Sequence, residues 1–162
     1  VLRDGVFSGY RAADGFIGNH VRAFREDDRG VLWIGTYDGG LYRLEQEHLT
    51  RFTTRNGLPD NGAFQILDDG RGSFWISSNR GIYRVSRAEL DDVAVGRASM
   101  VRPVTFGTRD GMATAECNGG RQPAGMRMPD GTLWFPTQKG IAVIDPTAVR
   151  PAAQVPPAGR HR

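Results

Sequence analysis

Within "DRGVLWIGTYDGGLYRL" (residues 28–44), Asp38 stands between Tyr37 and the pair Gly39-Gly40, the setting of a flexible acid in a glycine-rich loop. Other side chains with chemistry to offer fall in comparable Gly- and Asn-rich stretches. They are Asn19 and His20, then Asn61, Asn79 and Arg80, then Glu116, Asn118, Gln138 and Lys139. General acid–base catalysis needs a titratable pair within reach of one substrate proton. Of the three histidines only His20 lies in such a loop, without a paired carboxylate at a telling spacing. No G-x-S-x-G, phosphate loop or metal-ligand pattern is present, so no catalytic residue, metal or cofactor is assigned. The set is instead a mixture of amides, one aromatic ring and a few charges, which suits a polar ligand such as an oligosaccharide, a peptide or an anion. Arg80 and Lys139 occupy matching positions and suit an anion. The competing reading is that Asn, Asp and Gly are there to make turns.

Placing these residues requires the elements around them. The chain has 162 residues and 22 glycines, far above the average share of about 7%, which favours tight turns over long helices. The net charge is +3, and among the 21 basic residues only Lys139 is lysine. The basic residues are dispersed, without the stripe and interleaved aromatics of a nucleic-acid binder. No apolar run nears the roughly 18 residues of a spanning helix, so contact with a membrane is expected only through parts outside this sequence. A single cysteine, Cys117, precludes an intrachain disulfide.

Self-similarity organises the rest. "DGFIGNHVRAFREDDRGVLWIGTYDGGLYRL" (14–44), "NGLPDNGAFQILDDGRGSFWISSNRGIYRV" (56–85) and "DGMATAECNGGRQPAGMRMPDGTLWFPTQKGIAVI" (110–144) align from their Asp/Asn-Gly starts. Gly15 to Gly57 and Trp33 to Trp75 are both 42 residues apart. Gly-to-Trp spacing is 18 in the first two copies and 23 in the third, where "NGGRQPAG" lengthens the front. A period near 42 suits a four-stranded propeller blade. The predicted strands are "HVRAF" and "AFQIL" (inner), "VLWIGT", "SFWISS" and "TLWFPT" (second), "GLYRL", "GIYRV" and "GIAVI" (third), and "LTRFTT" and "VTFGT" (outer). Trp33, Trp75 and Trp134 are expected to pack between blades. "SRAELDDV" (86–93) reads as a helix with a Ser86/Glu89 capping box.

The fold class expected is therefore all-β: about three and a half four-stranded blades of an incomplete propeller. Residues 1–13 would be the end of an earlier blade, 14–55, 56–109 and 110–146 three blades, and 147–162 a Pro-rich linker. The open faces and strand edges of such an arc invite self-association. In a blade, the loop entering the inner strand and the loop between strands two and three share one face, which would gather the polar residues above. The Tyr37-Asp38 loop, one residue longer than its counterparts, should protrude.

The pattern "GLPDN…ILDDGRGSFWISSNRGIYRV" resembles the two-component-regulator propeller repeat, found in extracytoplasmic sensor regions of large bacterial histidine kinases and related sensors. "DGMATAECNGGRQPAGMRMPDGTLWFPTQKGIAVIDP" (110–146) resembles the last blade of such propellers. The resemblance covers residues 1–146 and implies a non-catalytic periplasmic ligand sensor, here the C-terminal part of a larger propeller, signalling to an output domain beyond this chain. It departs from the pattern at Phe16 and Met112, which follow the Asp-Gly pairs, and at Ala115, where the other copies have Asn19 and Asn61. The third copy is also similar to streptogramin-lyase-like blades, and the turns resemble sialidase Asp-boxes. A propeller enzyme and a protein-interaction scaffold are thus the alternatives.

Overall fold

The computed structural model describes residues 1–17 and 20–149. A short hairpin, β1 (Leu2–Arg3) and β2 (Val6–Phe7), comes first. An antiparallel sheet follows in the order β3 (Val21–Glu26), β4 (Leu32–Thr36), β5 (Leu41–Glu45), β6 (His48–Phe52). The second sheet repeats that order with β7 (Gln65–Asp68), β8 (Ser73–Ser78), β9 (Gly81–Ser86) and β10 (Val104–Phe106), interrupted between β9 and β10 by α1 (Arg87–Ala94). The third sheet has three strands among the described residues: β11 (Met126–Arg127), β12 (Leu133–Thr137) and β13 (Gly140–Ile144). These meandering sheets are blades, and together they form an open, incomplete propeller. The outer strands end sooner than "LTRFTT" and "VTFGT" suggest, because a 3-10 turn takes over at Thr54 and Thr108.

That turn explains the Asp/Asn-Gly starts. At Ala12–Asp14, Thr54–Asn56 and Thr108–Asp110 the chain makes one 3-10 turn and leaves it through a left-handed glycine, with φ of +89° at Gly15, +91° at Gly57 and +97° at Gly111. An L side chain is strained there, so glycine is the natural choice. The residue before each glycine bends back to accept a backbone N–H: Asp14 from Arg11 (2.8 Å), Asn56 from Thr53 (3.1 Å), Asp110 from Gly107 (2.8 Å). Each motif turns the chain from an outer strand toward the next inner strand.

A second repeated device sits at the other end of the blades. Asp27 accepts backbone N–H bonds from Arg29 (2.9 Å) and Val31 (3.1 Å), and its second oxygen accepts the Trp33 indole N–H (3.1 Å). Asp69 does the same for Arg71, Ser73 and Trp75. The carboxylate thus closes the hairpin turn and fixes the buried indole in one stroke. Burial alone would raise the pKa of Asp27. Hydrogen bonds from Arg29, Trp33 and the two amides outweigh it and lower the pKa to about 2.

The indoles pack as expected in the first two blades. Trp33 is fully buried against Phe52 and Phe74, and Trp75 is fully buried beside Phe106. Trp134 departs from that expectation. It is 37% exposed, and its indole N–H goes to Thr132 (3.0 Å), because Met128 stands where the locking aspartate would be and no further blade covers it among the described residues.

The insertion behind β9 forms the expected helix, with Leu90 fully buried. Its cap is one-sided. The Ser86 hydroxyl accepts from the Glu89 N–H (3.4 Å), but the Glu89 carboxylate accepts from Arg102 N–H (3.4 Å) instead of returning to Ser86. Asp91 accepts from Arg29 (2.7 Å) and Arg43 (3.0 Å) of the first blade, and Arg87 pairs with Asp28 (2.7 Å). The helix therefore rivets the first two blades together at the Asp-Trp end, leaving the opposite loop face free of it.

Candidate functional site

The loop face is built by the turns between the second and third strands and by the segments entering the inner strands. The two sets are stitched by backbone hydrogen bonds: Tyr37 N–H to His20 C=O (2.9 Å), Gly40 N–H to Asn61 C=O (2.8 Å) and Gln138 N–H to Glu116 C=O (3.0 Å). His20 is thereby set beside Tyr37, Asn61 beside the end of the Tyr37-Asp38 loop, and Glu116 beside Gln138.

In the first blade His20 is exposed and stands edge-on to Tyr37, with ring centroids 6.3 Å apart. The Tyr37 ring lies parallel to Phe64 of the second blade, at 5.6 Å and 9°, and the Arg22 guanidinium sits 5.2 Å from its centroid. The longer loop therefore does not simply protrude. Asp38 is exposed, while Tyr37, 43% exposed, folds back onto the next blade, its ring held between Phe64 and the Arg22 guanidinium. Asn19 falls outside the described residues.

Asn61 and Asn118 are committed to the scaffold. The Asn61 side-chain oxygen accepts from Thr54 N–H (3.0 Å). The Asn118 side-chain amide donates to Thr137 C=O (2.9 Å), and its oxygen accepts from the Gln138 amide. Gln138 and Glu116 remain exposed beside it. Asn79 and Arg80 form an exposed tight turn in which Arg80 N–H donates to Ser78 Oγ (3.0 Å), and Lys139 N–H meets Thr137 Oγ1 (3.3 Å) in the matching turn. Lys139 also lines a cleft of about 430 Å³ that runs along β13, with Asp110 at the rim and Phe106, Met112 and Ala142 inside. Ala142 takes the place that Tyr42 and Tyr83 fill in the other two blades, two residues after the turn glycine.

Two contributors escaped sequence reasoning. Arg22 reaches the face from the inner strand β3. Gln122, in the lengthened front of the third copy, donates to the carbonyls of Arg22 and Phe64 and so ties the inner edges of three blades. Both contacts are long-range, and only the extra length of "NGGRQPAG" hinted at a bridge. Among the described residues no group of three or more His, Cys, Asp or Glu is placed to hold a metal ion.

Comparison with known proteins agrees with the architecture. Residues 15–38 match the family model "Two component regulator propeller". A solved structure described as the extracellular domain of a hybrid two component system from B. thetaiotaomicron superposes with a TM-score of 0.65 at 18% identity, over 85% of this chain and 17% of that one. Another, the extracellular domain of a one component system from B. thetaiotaomicron, gives 0.66 at 23% identity, over 80% of this chain and 17% of that one. The chain thus spans 17% of the length of either neighbour. No curated protein matches it. The chain thus has a propeller-type fold, with a match to the two-component-regulator propeller repeat at residues 15–38.

Proposed function

We propose that this chain is a non-catalytic, ligand-sensing propeller segment of a bacterial two-component sensor, with blades at 14–55, 56–109 and 110–146. The observation that carries the reading is the composite cluster at the first blade junction, where Tyr37 stacks on Phe64 under Arg22 with His20 at its edge. An exposed aromatic rim beside a guanidinium and an imidazole suits the hydroxyls of a sugar ring. The ligand class is a small polar solute, foremost an oligosaccharide. His20, Tyr37 and Asp38 contact it directly, and Glu116, Gln138, Asn79, Arg80 and Lys139 line the approach. Asn61 and Asn118 shape the loops.

The sensing reading is supported by the repeat and by neighbours described as extracellular domains of signalling systems, and a periplasmic location is part of the proposal. No helix of the described residues is long and apolar enough to cross a membrane. Ligand binding would shift the population of arrangements between propeller and output domain, which requires different affinities for the two. The test is a panel of soluble oligosaccharides screened by calorimetry, followed by Tyr37→Ala and His20→Ala. Binding that falls at least tenfold in Tyr37→Ala supports the site. Binding indifferent to both substitutions removes it, and turnover of a panel member would favour the enzyme alternative.

A further inference from the structure

The lengthened front of the third copy, residues 118–125, is pinned at both ends. At Asn118 the backbone N–H donates to Pro136 C=O (2.9 Å) and the side-chain amide to Thr137 C=O (2.9 Å), both in the third blade. At Gly125 the carbonyl accepts from the Gln65 amide of the second blade (2.9 Å). Between these anchors the segment meets the Tyr37 cluster twice.

The first contact is at Gly119. Its φ lies outside the left-handed region, so the backbone itself does not call for glycine. The demand is space: a Cβ on Gly119 would stand 2.3 Å from Cγ of Phe64. Gly62 yields to the same ring, where a Cβ would meet Phe64 Cε1 and the Tyr37 carbonyl oxygen, each at 3.1 Å. Phe64 is 1% exposed, with the backbone of the third blade against it and the Tyr37 ring of the first blade parallel to it. Close-packed groups pass a displacement on to their neighbours, so the position of the third blade's front sets where the Tyr37 ring lies.

The second contact is at Gln122. The register of β3 against β4 shifts between Val21 and Ala23, which leaves Arg22 without a ladder partner. A bulge re-aims a side chain, and here the guanidinium comes to 5.2 Å from the centre of the Tyr37 ring. The Gln122 amide nitrogen donates to the carbonyl of Arg22 and to that of Phe64 (3.3 Å), and its oxygen accepts Ala124 N–H (3.1 Å). Arg22 and Phe64 are equivalent positions, one 42-residue period apart. A carboxylate could not replace this amide, because it has no N–H to offer two carbonyls.

We propose that residues 118–125 form the strap that positions the ligand site of the first blade, with Gly119 acting on Tyr37 through Phe64 and Gln122 acting through the bulged Arg22. The proposal rests on the ligand-sensing reading of the Tyr37 cluster and deepens it. Three consecutive blades then share one site, and the extra length of the third copy has a purpose. A ligand that engages Tyr37 is coupled to the third blade, and by linkage the third blade sets its affinity in return.

The test uses the 162-residue chain with isotope-labelled tyrosine rings, whose four sets of NMR signals include that of Tyr37, assigned with Tyr37→Phe. Gly119→Ala drives a methyl group into Phe64. Gln122→Glu keeps the size and the acceptor and removes only the two donors. Each should shift the Tyr37 signals and leave in place those of Tyr42, which is buried in the same blade and reports its fold. In calorimetry, Gln122→Glu should also weaken the best-binding panel oligosaccharide by about tenfold. Tyr37 signals unmoved in either variant, shifts at Tyr42 as large as those at Tyr37, or wild-type affinity in Gln122→Glu would each overturn the strap. Should no panel member bind, the sensing reading fails by itself, and the ring signals alone decide whether the strap positions Tyr37.

Discussion

Tyr42 and Tyr83 occupy the same place in two blades and differ in one hydrogen bond. The Tyr42 hydroxyl accepts the N–H of Ile17 (2.9 Å), the second residue after Gly15. The second residue after Gly57 is Pro59, which has no N–H, and the fully buried Tyr83 hydroxyl is without a partner among the described residues. Burial and the nearby Asp60 charge push its ionisation far above the ordinary range. A buried unpaired polar group costs stability, and a paired one contributes about 1 kcal/mol. Tyr83→Phe should therefore leave stability unchanged or raise it, whereas Tyr42→Phe should lower it by about 1 kcal/mol in urea titrations. Equal losses at both would contradict this assignment. The Asp-Trp lock gives a sharper contrast. Asp69→Ala strands the Trp75 indole and two amides and should cost about 2 kcal/mol, while Thr132→Ala beside the exposed Trp134 should cost well under that. The pH dependence follows from Asp27. Its folded pKa of about 2 lies below the unfolded value, so its contribution is complete above pH ~4 and is lost as pH falls toward 2. Asp27→Asn should flatten that limb of the acid denaturation curve.

At the scale of elements, the blade repeat was legible because it rests on conformational necessity. Only glycine sits easily at φ near +90°, so the three Asp/Asn-Gly starts had to recur wherever an outer strand hands over to an inner one. Spacing then carried Trp33 and Trp75 to equivalent places. The exposure of Trp134 was not legible, because burial depends on what lies beside a strand and not on the strand itself. The loop residues were read only halfway for a related reason. An asparagine that ties the backbone looks in sequence like one that waits for a ligand, and Asn61, on Thr54 N–H, and Asn118, on Thr137 C=O, both tie the backbone. Arg22 and Gln122 act across 15 and 58 to 100 residues, distances that no local pattern encodes. The helix α1 was visible, but its role was not. Asp91→Ala removes the shared partner of Arg29 and the nearly buried Arg43. It should destabilise the chain by about 2 kcal/mol, and hydrogen exchange should rise in α1 and around residues 27–31 together. Exchange confined to α1 would show that the helix does not rivet the blades.

For the whole molecule, the two ends of the arc are the unfinished business of the fold. Ile17, Val21 and Phe24 at one end, and Met126, Trp134, Ile141 and Val143 at the other, are apolar positions that a ring would bury. Patches of this kind mark interfaces. The loop face is a different surface, composed of polar turns held by backbone bonds, and binding there is the claim on which the sensing role depends. The most direct measurement is hydrogen–deuterium exchange of the chain with and without the best-binding oligosaccharide from the panel. Protection at His20–Arg22 and Tyr37–Gly39, with none at the Asp-Trp turns of residues 27–31 and 69–73, is the expected result. Protection at those turns alone, or no binding by any panel member, would contradict it.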